Sequence, residues 1–263
     1  MKSWWCLVFF SFLCRPLFAQ DSICQVSDFD IDVLGNFYIV ANAEIIKYDT
    51  HDVVVNRTSS HENGVPNTID ARDPLRLLVF YRDFGIVSVL DNQLAEQSRI
   101  DLRAIGFADP MILAGSVDQG IWIFDRTTSQ LIKLDPGLSK ALITVDLRLL
   151  LNRTITPTLL EVSKNWVVMQ DENNLLIFDQ YGTYNRSIPA KNAAITLQFK
   201  NDDELWIADA EGVKSMNLHL LGSEKSVPIL LPARLKKARF SAVGNWFQRL
   251  DGCLLLPAQN EIK

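Results

Sequence analysis

The sequence is poor in the residues that most often carry catalysis or bind metals. It holds 3 His and 4 Cys in 263 residues. His51, His61 and His219 stand far apart, and none sits in a metal-ligand spacing such as HxxxH. No GxSxG occurs, so there is no nucleophile elbow. No GxxxxGK[ST] or GxGxxG occurs either, which removes the two common phosphate cradles. A Ser or Cys nucleophile therefore lacks an evident base. Positive charge is also short: 26 Lys and Arg face 31 Asp and Glu, a formal charge of -5, and no broad basic field is available for nucleic acid phosphates. No catalytic residue, metal ligand or cofactor is expected on these grounds, and nucleic acid is not an expected partner.

What is present is ordinary globular composition, 48% apolar and 22% charged. Residues 1–19 read as a secretory signal: Lys2 gives the positive start, Trp4 to Leu13 is an apolar run too short to span a bilayer, and Leu17-Phe18-Ala19 precedes a plausible cut before Gln20. Lipidation at Cys14 is the alternative; the large Phe12 and Leu13 before it and Arg15 after it fit that processing poorly. Removing Lys2 and Arg15 leaves 24 basic against 31 acidic residues, a net charge of -7. No later apolar stretch approaches a membrane span. The expectation is a single exported domain over 20–263.

That domain is built from repeats. An apolar, β-rich run meets an Asn or Asp, a short turn follows, and a second such run ends in Asp or Asn. Leu77 to Tyr81 leads to Asp83, and Ile86 to Leu90 ends at Asp91. Trp166 to Met169 leads to Asp171, and Leu175 to Phe178 ends at Asp179. The six turn positions are Asn42, Asp83, Asp118, Asp171, Asp209 and Asp251, with steps of 41, 35, 53, 38 and 42 residues. Asp and Asn suit turns because their side chains bond nearby backbone N–H groups and tolerate left-handed conformations. Runs that are apolar at nearly every position imply sheets covered on both faces. A repeat near 42 residues with several short strands matches one four-stranded blade, so the expected fold is an all-β, six-bladed β-propeller. Val53-Val54-Val55, Leu131–Leu134 and Val227–Leu231 are expected as outer strands, 194–199 and 238–243 as inner ones. The 53-residue step, with Pro136-Gly137 and an irregular stretch to Pro157, is expected to hold an insertion.

The sixth copy lacks an outermost strand, while Ser22–Val26 is a spare strand ahead of the first. The economical solution is that this N-terminal strand closes the last blade, removing open sheet edges. Two cysteines remain after the leader, Cys24 and Cys253, and closure places them on neighbouring strands. In an oxidising compartment they are expected to form a disulfide.

Three further features have two readings each. If the turn residues Asn42, Asp83, Asp118, Asp171 and Asp209 faced the channel, they would offer oxygens to Ca²⁺, as in propeller hydrolases of the gluconolactonase and paraoxonase kind; as turn formers they need no such role. The basic run Arg234-Leu235-Lys236-Lys237-Ala238-Arg239 reads as a solvated turn before a strand, or as a surface for an acidic partner or lipid head groups. Asn56-Arg57-Thr58, Asn152-Arg153-Thr154 and Asn185-Arg186-Ser187 fit the N-glycosylation triplet, which matters only in a eukaryotic secretory pathway.

The Gly35-Asn36-Phe37-Tyr38-Ile39-Val40 start and the Ile-Phe-Asp strand ends resemble the NHL, YncE and TolB-like group of six-bladed propellers. The leader ending in Phe-Ala-Gln and the run Pro74 to Tyr81 are similar to exported propellers of Bacteroidota. The resemblance implies a periplasmic or outer-membrane-associated protein. A rigid propeller disc whose loops are free to vary binds at low ordering cost, so the expected role is a non-catalytic interaction module, an accessory or scaffold subunit whose partners are envelope proteins. The alternatives are a Ca²⁺-dependent hydrolase or lactonase with its site in the channel, and a small-ligand sensor.

Overall fold

The computed structural model describes residues 22–59, 62–172, 174–220 and 222–257. The expected leader, with Cys6 and Cys14, lies outside the described residues, as does His61. The chain folds as a ring of six four-stranded antiparallel sheets. A two-residue strand, β1 (Ser22–Ile23), comes first and is held back for the end of the ring. Blade 1 follows, from β2 (Val26–Ile31), β3 (Phe37–Ala41), β4 (Glu44–Tyr48) and β5 (Val54–Ser59). Blade 2 holds β6 (Thr68–Asp70), β7 (Leu77–Tyr81), β8 (Ile86–Leu90) and β9 (Glu96–Asp101). Blade 3 holds β10 (Pro110–Gly115), β11 (Ile121–Asp125), β12 (Gln130–Leu134) and β13 (Lys140–Ile143), and a short helix α1 (Leu147–Leu151) leads out of it. Blade 4 is β14 (Pro157–Val162), β15 (Trp166–Asp171), β16 (Asn174–Asp179) and β17 (Tyr184–Pro189). Blade 5 is β18 (Thr196–Phe199), β19 (Glu204–Asp209), β20 (Gly212–Asn217) and β21 (Lys225–Val227). Blade 6 supplies β22 (Leu235–Ser241), β23 (Gly244–Arg249) and β24 (Leu254–Leu255), and β1 pairs with β24 as its fourth strand, Ser22 opposite Leu255 and Ile23 opposite Leu254.

The N-terminal strand therefore closes the last blade, and Cys24 is bonded to Cys253 across that seam. A cross-link over 229 residues removes chain entropy from the unfolded ensemble, worth about 5 kcal/mol in the loop-closure model.

The second strands are apolar because they are covered on both faces: all five residues of Phe37–Ala41 and of Leu77–Tyr81 are buried. The fourth strands face water and are polar, as in Glu96–Asp101. Six apolar clusters fill the six gaps between blades. Tyr38, Val40 and Ile45 of blade 1 meet Ile69, Leu77 and Val79 of blade 2; Trp122 and Phe124 of blade 3 meet Val167, Met169 and Phe178 of blade 4.

One turn recurs between third and fourth strands. Asp49, Asp91 and Asp179 each accept backbone N–H groups two and four residues on, through Oδ1 at 2.8–3.0 Å. Asp135 starts the same turn with a bond from Ser139 N at 2.8 Å. The fourth residue is left-handed in every copy: Asp52, Leu94, Leu138 and Gly182.

The third blade corrects the repeat frame. Ile112-Leu113-Ala114 belongs to the innermost strand and Ile121–Asp125 to the second, so Asp118 sits one turn early and Asp125 is the true equivalent of Asp83 and Asp171. Asp125 stands 42 residues after Asp83 and 46 before Asp171, so the step of 53 shrinks to 46, with α1 in the surplus. The cause is composition: β10 is apolar, whereas the inner strands of blades 1 and 6 carry charges, so it imitates a second strand. For the same reason Leu131–Leu134 is a third strand and not an outer one. Val54–Ser59 is an outer strand as expected; of Val227–Leu231 only Val227 lies in one, β21, and the rest runs on towards blade 6. The inner strands expected at 194–199 and 238–243 are β18 and β22.

Candidate functional site at the channel mouth

Numbering the strands of each blade outward from the axis, antiparallel order puts the turns between strands 1 and 2 and between 3 and 4 on one face, called upper here. The turns between strands 2 and 3 and the blade-to-blade connections lie on the lower face. The axis is lined by the innermost strands β2, β6, β10, β14, β18 and β22.

These strands carry a buried ionic network. Residues two apart on a strand point the same way, so Asp28 and Asp30 of β2 stand beside Lys237 and Arg239 of β22. Lys237 Nζ lies 2.7 Å from Asp28 Oδ1, and Arg239 Nε 2.5 Å from Asp30 Oδ1. The other oxygens of the two carboxylates accept Ile69 N and Ala71 N of blade 2, both at 2.9 Å. Asp70 accepts Gly115 N of blade 3 at 2.8 Å and pairs with Arg72 at 2.6 Å. Arg72 reaches on across the channel, donating to Glu161 Oε1 at 3.1 Å, Val162 O at 2.9 Å and Gly115 O at 3.1 Å.

Burial has different outcomes for Asp70 and Glu161. It tends to raise the Asp70 carboxyl, but the Arg72 guanidinium and the Gly115 and Arg72 N–H groups outweigh it and hold that carboxyl well below the ordinary range. Burial also raises Glu161, and the attraction of Arg72 and Arg239 does not cancel it. Glu161 is 5% exposed, and its Oε2 has no hydrogen-bond partner among the described residues.

Arg72, Glu161, Asp30 and Arg239 form the floor of a cavity of about 520 Å³ that opens on the upper face. Ile31, Val162, Phe199 and Phe240 border it, with their side chains packed into the gaps between blades. The rim is apolar and exposed: Val33 (78%), Leu34 (66%), Val117 (71%) and Val243 (43%). A second hollow of about 560 Å³, between blades 3 and 4, shares Val117, Ser163 and Lys164 with the first and runs out past Trp122, Lys133 and Tyr181.

The rim is firmly held. In the first loop Asp32 accepts Leu34 N and Asn36 N at 2.9 Å, Asn36 Nδ2 at 2.8 Å and the Tyr38 hydroxyl at 3.0 Å. Burial, then the Asp32 charge, pushes the Tyr38 phenol far up, so it stays a donor.

The expected turn residues do not meet around the channel. Asn42, Asp83, Asp171, Asp209 and Asp251 lie at turns of the lower face and Asp118 at one of the upper. Their side chains are used locally: Asp171 accepts Thr156 N and pairs with Arg153, Asp209 accepts Glu211 N, Asp251 accepts Cys253 N and Asp118 pairs with Lys133. Among the described residues no three His, Cys, Asp or Glu stand close enough to hold a metal ion. His51 is exposed in a blade 1 turn; His219 lies 2.9 Å from Asp203 within blade 5, and Asp203 bridges to blade 4 by accepting Asn165 Nδ2 and Trp166 Nε1.

The basic run is neither a solvated turn nor a surface patch. Leu235–Ser241 is the innermost strand of blade 6, with Leu235 and Ala238 buried and Lys237 and Arg239 turned into the channel. Sequence reading missed Asp28, Asp30, Asp70, Arg72 and Glu161 altogether. The available signal was the matched i, i+2 spacing of Asp-Phe-Asp in the first inner strand and Lys-Ala-Arg in the last.

Among the described residues no helix is long and apolar enough to cross a membrane. No family model matches the chain, and no curated protein matches it. Its likeness is to solved structures. A virginiamycin B lyase from Staphylococcus aureus superposes over 91% of this chain and 88% of its own at a TM-score of 0.61 and 10% identity. A streptogramin B lyase does so over 92% and 87%, at 0.61 and 13%. BBS1N, solved in complex with ARL6DN, matches over 86% and 76%, at 0.58 and 17%. Identities this low speak for the fold alone: the chain is a six-bladed β-propeller, similar in shape both to enzymes and to a propeller that binds a protein.

Proposed function

We propose that the protein is a non-catalytic interaction module that docks partner proteins on its upper face. The carrying observation is the apolar rim of Val33, Leu34, Val117 and Val243, exposed on short turns around the channel mouth. Exposed apolar residues gathered on one face mark interaction sites, and turns already fixed by hydrogen bonds lose little entropy on binding. Leu75, exposed by 72% on the first turn of blade 2, extends the same face. The floor supports the reading from the other side. Its guanidiniums are engaged by carboxylates.

The finer proposal combines this face with the leader over 1–19 and the resemblance to NHL, YncE and TolB-like propellers of Bacteroidota. On that reading the protein is exported and serves as an accessory or scaffold subunit of an outer-membrane assembly or secretion complex. A photo-crosslinking residue placed at Val33 or Val117, in cells, is expected to trap one envelope protein reproducibly. The same residue at Leu230, 93% exposed and on the lower-face connection, is expected to trap none. Equal trapping from both faces, or none from the upper, overturns the proposal. Export is checked by the mass of the mature chain, expected to begin at Gln20.

A further inference from the structure

Four carboxylates of the channel network, Asp28, Asp30, Asp70 and Glu161, pair with the cations Lys237, Arg239 and Arg72. Asp28, Asp30 and Asp70 have both oxygens occupied by cations and backbone N–H groups. Glu161 does not: Oε1 accepts Arg72, and Oε2 has no hydrogen-bond partner among the described residues although Glu161 is 5% exposed. Oε2 is also not sealed off, since it is not among the buried atoms left without partners, and Glu161 lines the cavity. Burying an anion that is only half satisfied costs free energy. A protein that keeps such a group at the base of an open cavity has a place where a cation gains both charge and a hydrogen bond.

We propose that the upper end of the channel receives a monovalent organic cation, an ammonium or guanidinium on an apolar stem, with Glu161 as its anchor. The stem follows from the rim: the exposed Val33, Leu34, Val117 and Val243 ring the mouth above the charged floor. A cavity of about 520 Å³ has room for such a group. A divalent metal fits less well, because Ca²⁺ needs six to eight oxygens and one carboxylate oxygen is open. The cation chemistry is common to a partner's lysine or arginine side chain and to a free amine. The inference rests on the channel alone and stands apart from the docking role: it can fail while crosslinking at the rim succeeds, and the reverse.

The test is calorimetric titration of the disulfide-bonded chain at low salt. The cationic probes are n-hexylammonium, Nα-acetyl-lysine N-methylamide and Nα-acetyl-arginine N-methylamide; the neutral ones are 1-hexanol and Nα-acetyl-norleucine N-methylamide. The cations are expected to bind at least tenfold more tightly than their neutral counterparts, and Glu161→Gln to weaken them at least tenfold. Tighter binding by the amino-acid probes points to a partner's side chain, tighter binding by hexylammonium to a free amine. Should Glu161→Gln fail to fold, the wild-type chain still decides: the Arg72 and Arg239 Nε–H resonances are expected to shift with hexylammonium and not with hexanol. Equal binding of neutral and cationic probes, no binding or shift with any cation, no effect of a folded Glu161→Gln, or full displacement of hexylammonium by equimolar CaCl₂ each overturns the inference.

Discussion

Ionised side chains join the inner strands of blades 6, 1, 2 and 3, whereas neutral ones, the first of them on the second strand of blade 4, hold the inner edges of blades 5 and 6. On the first arc the stitches are Lys237 to Asp28, Arg239 to Asp30, Asp28 and Asp30 to the backbone of blade 2, and Asp70 to that of blade 3. On the second, Gln170 bonds Ala194 N and O, Thr196 bonds Ala238 N and O, and Gln198 bonds Phe240 N and O. The geometric task is the same, a side chain reaching one blade onward to hold the next inner strand. Only the chemistry differs. Amides do this without the desolvation cost of a charge, so stability alone gives no reason for the ionic version. The charged arc must be explained by what the channel presents, and it is the arc that supplies most of the cavity floor.

The largest test acts where the ring is closed, at the start of the charged arc. Removing the disulfide by Cys24→Ser with Cys253→Ser is expected to lower stability by about 5 kcal/mol at most in the loop-closure model. Denaturant titration of the variant and of the wild type measures it. The two-residue pairing of β1 with β24 and the bond from Val26 N to Gly252 O at 2.9 Å then have to hold the seam without a covalent bond. A loss below about 1 kcal/mol would mean that the ionic stitches of blades 6 and 1 suffice.

The next comparison sets one arc against the other. Arg72→Met strands Asp70 and Glu161 as buried, unpaired anions and is expected to cost about 3–5 kcal/mol. Gln198→Leu removes two hydrogen bonds to Phe240 and is expected to cost about 1–3 kcal/mol. Both are read from denaturation midpoints at neutral pH. Equal losses would erase the distinction between the arcs.

The two arcs also differed in how far they could be read from the sequence. The ring itself was legible because its signals are local and repeated: an apolar run, an Asp that fixes a turn, a second run. Its closure was legible because the two cysteines of 20–263 stand at opposite ends of the chain. The frame slipped in blade 3, where Met111 to Ala114 gives an inner strand the look of a second one. The charged floor stayed hidden because its partners are remote: 209 residues separate Lys237 from Asp28 and Arg239 from Asp30, and 89 separate Arg72 from Glu161. Charges close to turns read as solvated until ring order shows that the first and last inner strands are neighbours. Arg234 to Arg239 is the clearest case, a run whose alternate members face opposite surroundings.

The finest test lies inside the charged arc, between its satisfied and its unsatisfied acid. Asp70 is held below its ordinary range in the folded state, so it contributes stability above the unfolded carboxylate value of about 4. That contribution fades as pH falls through the folded value. Glu161 is raised, and the sign reverses: its contribution is full below the unfolded value of about 4.3 and is lost as pH climbs through the folded one. Asp70→Asn is therefore expected to be most damaging at neutral pH and least at pH 3. Glu161→Gln, which keeps an oxygen for Arg72, is expected to do better against the wild type as pH rises from 4 to 8. Denaturation midpoints of the three proteins across that range measure both slopes. Parallel slopes would mean that Glu161 is as well compensated as Asp70, leaving no reason for the channel to seek a further cation. Opposite slopes would show a residue kept at some cost to the fold, which is how a binding group differs from a stitch.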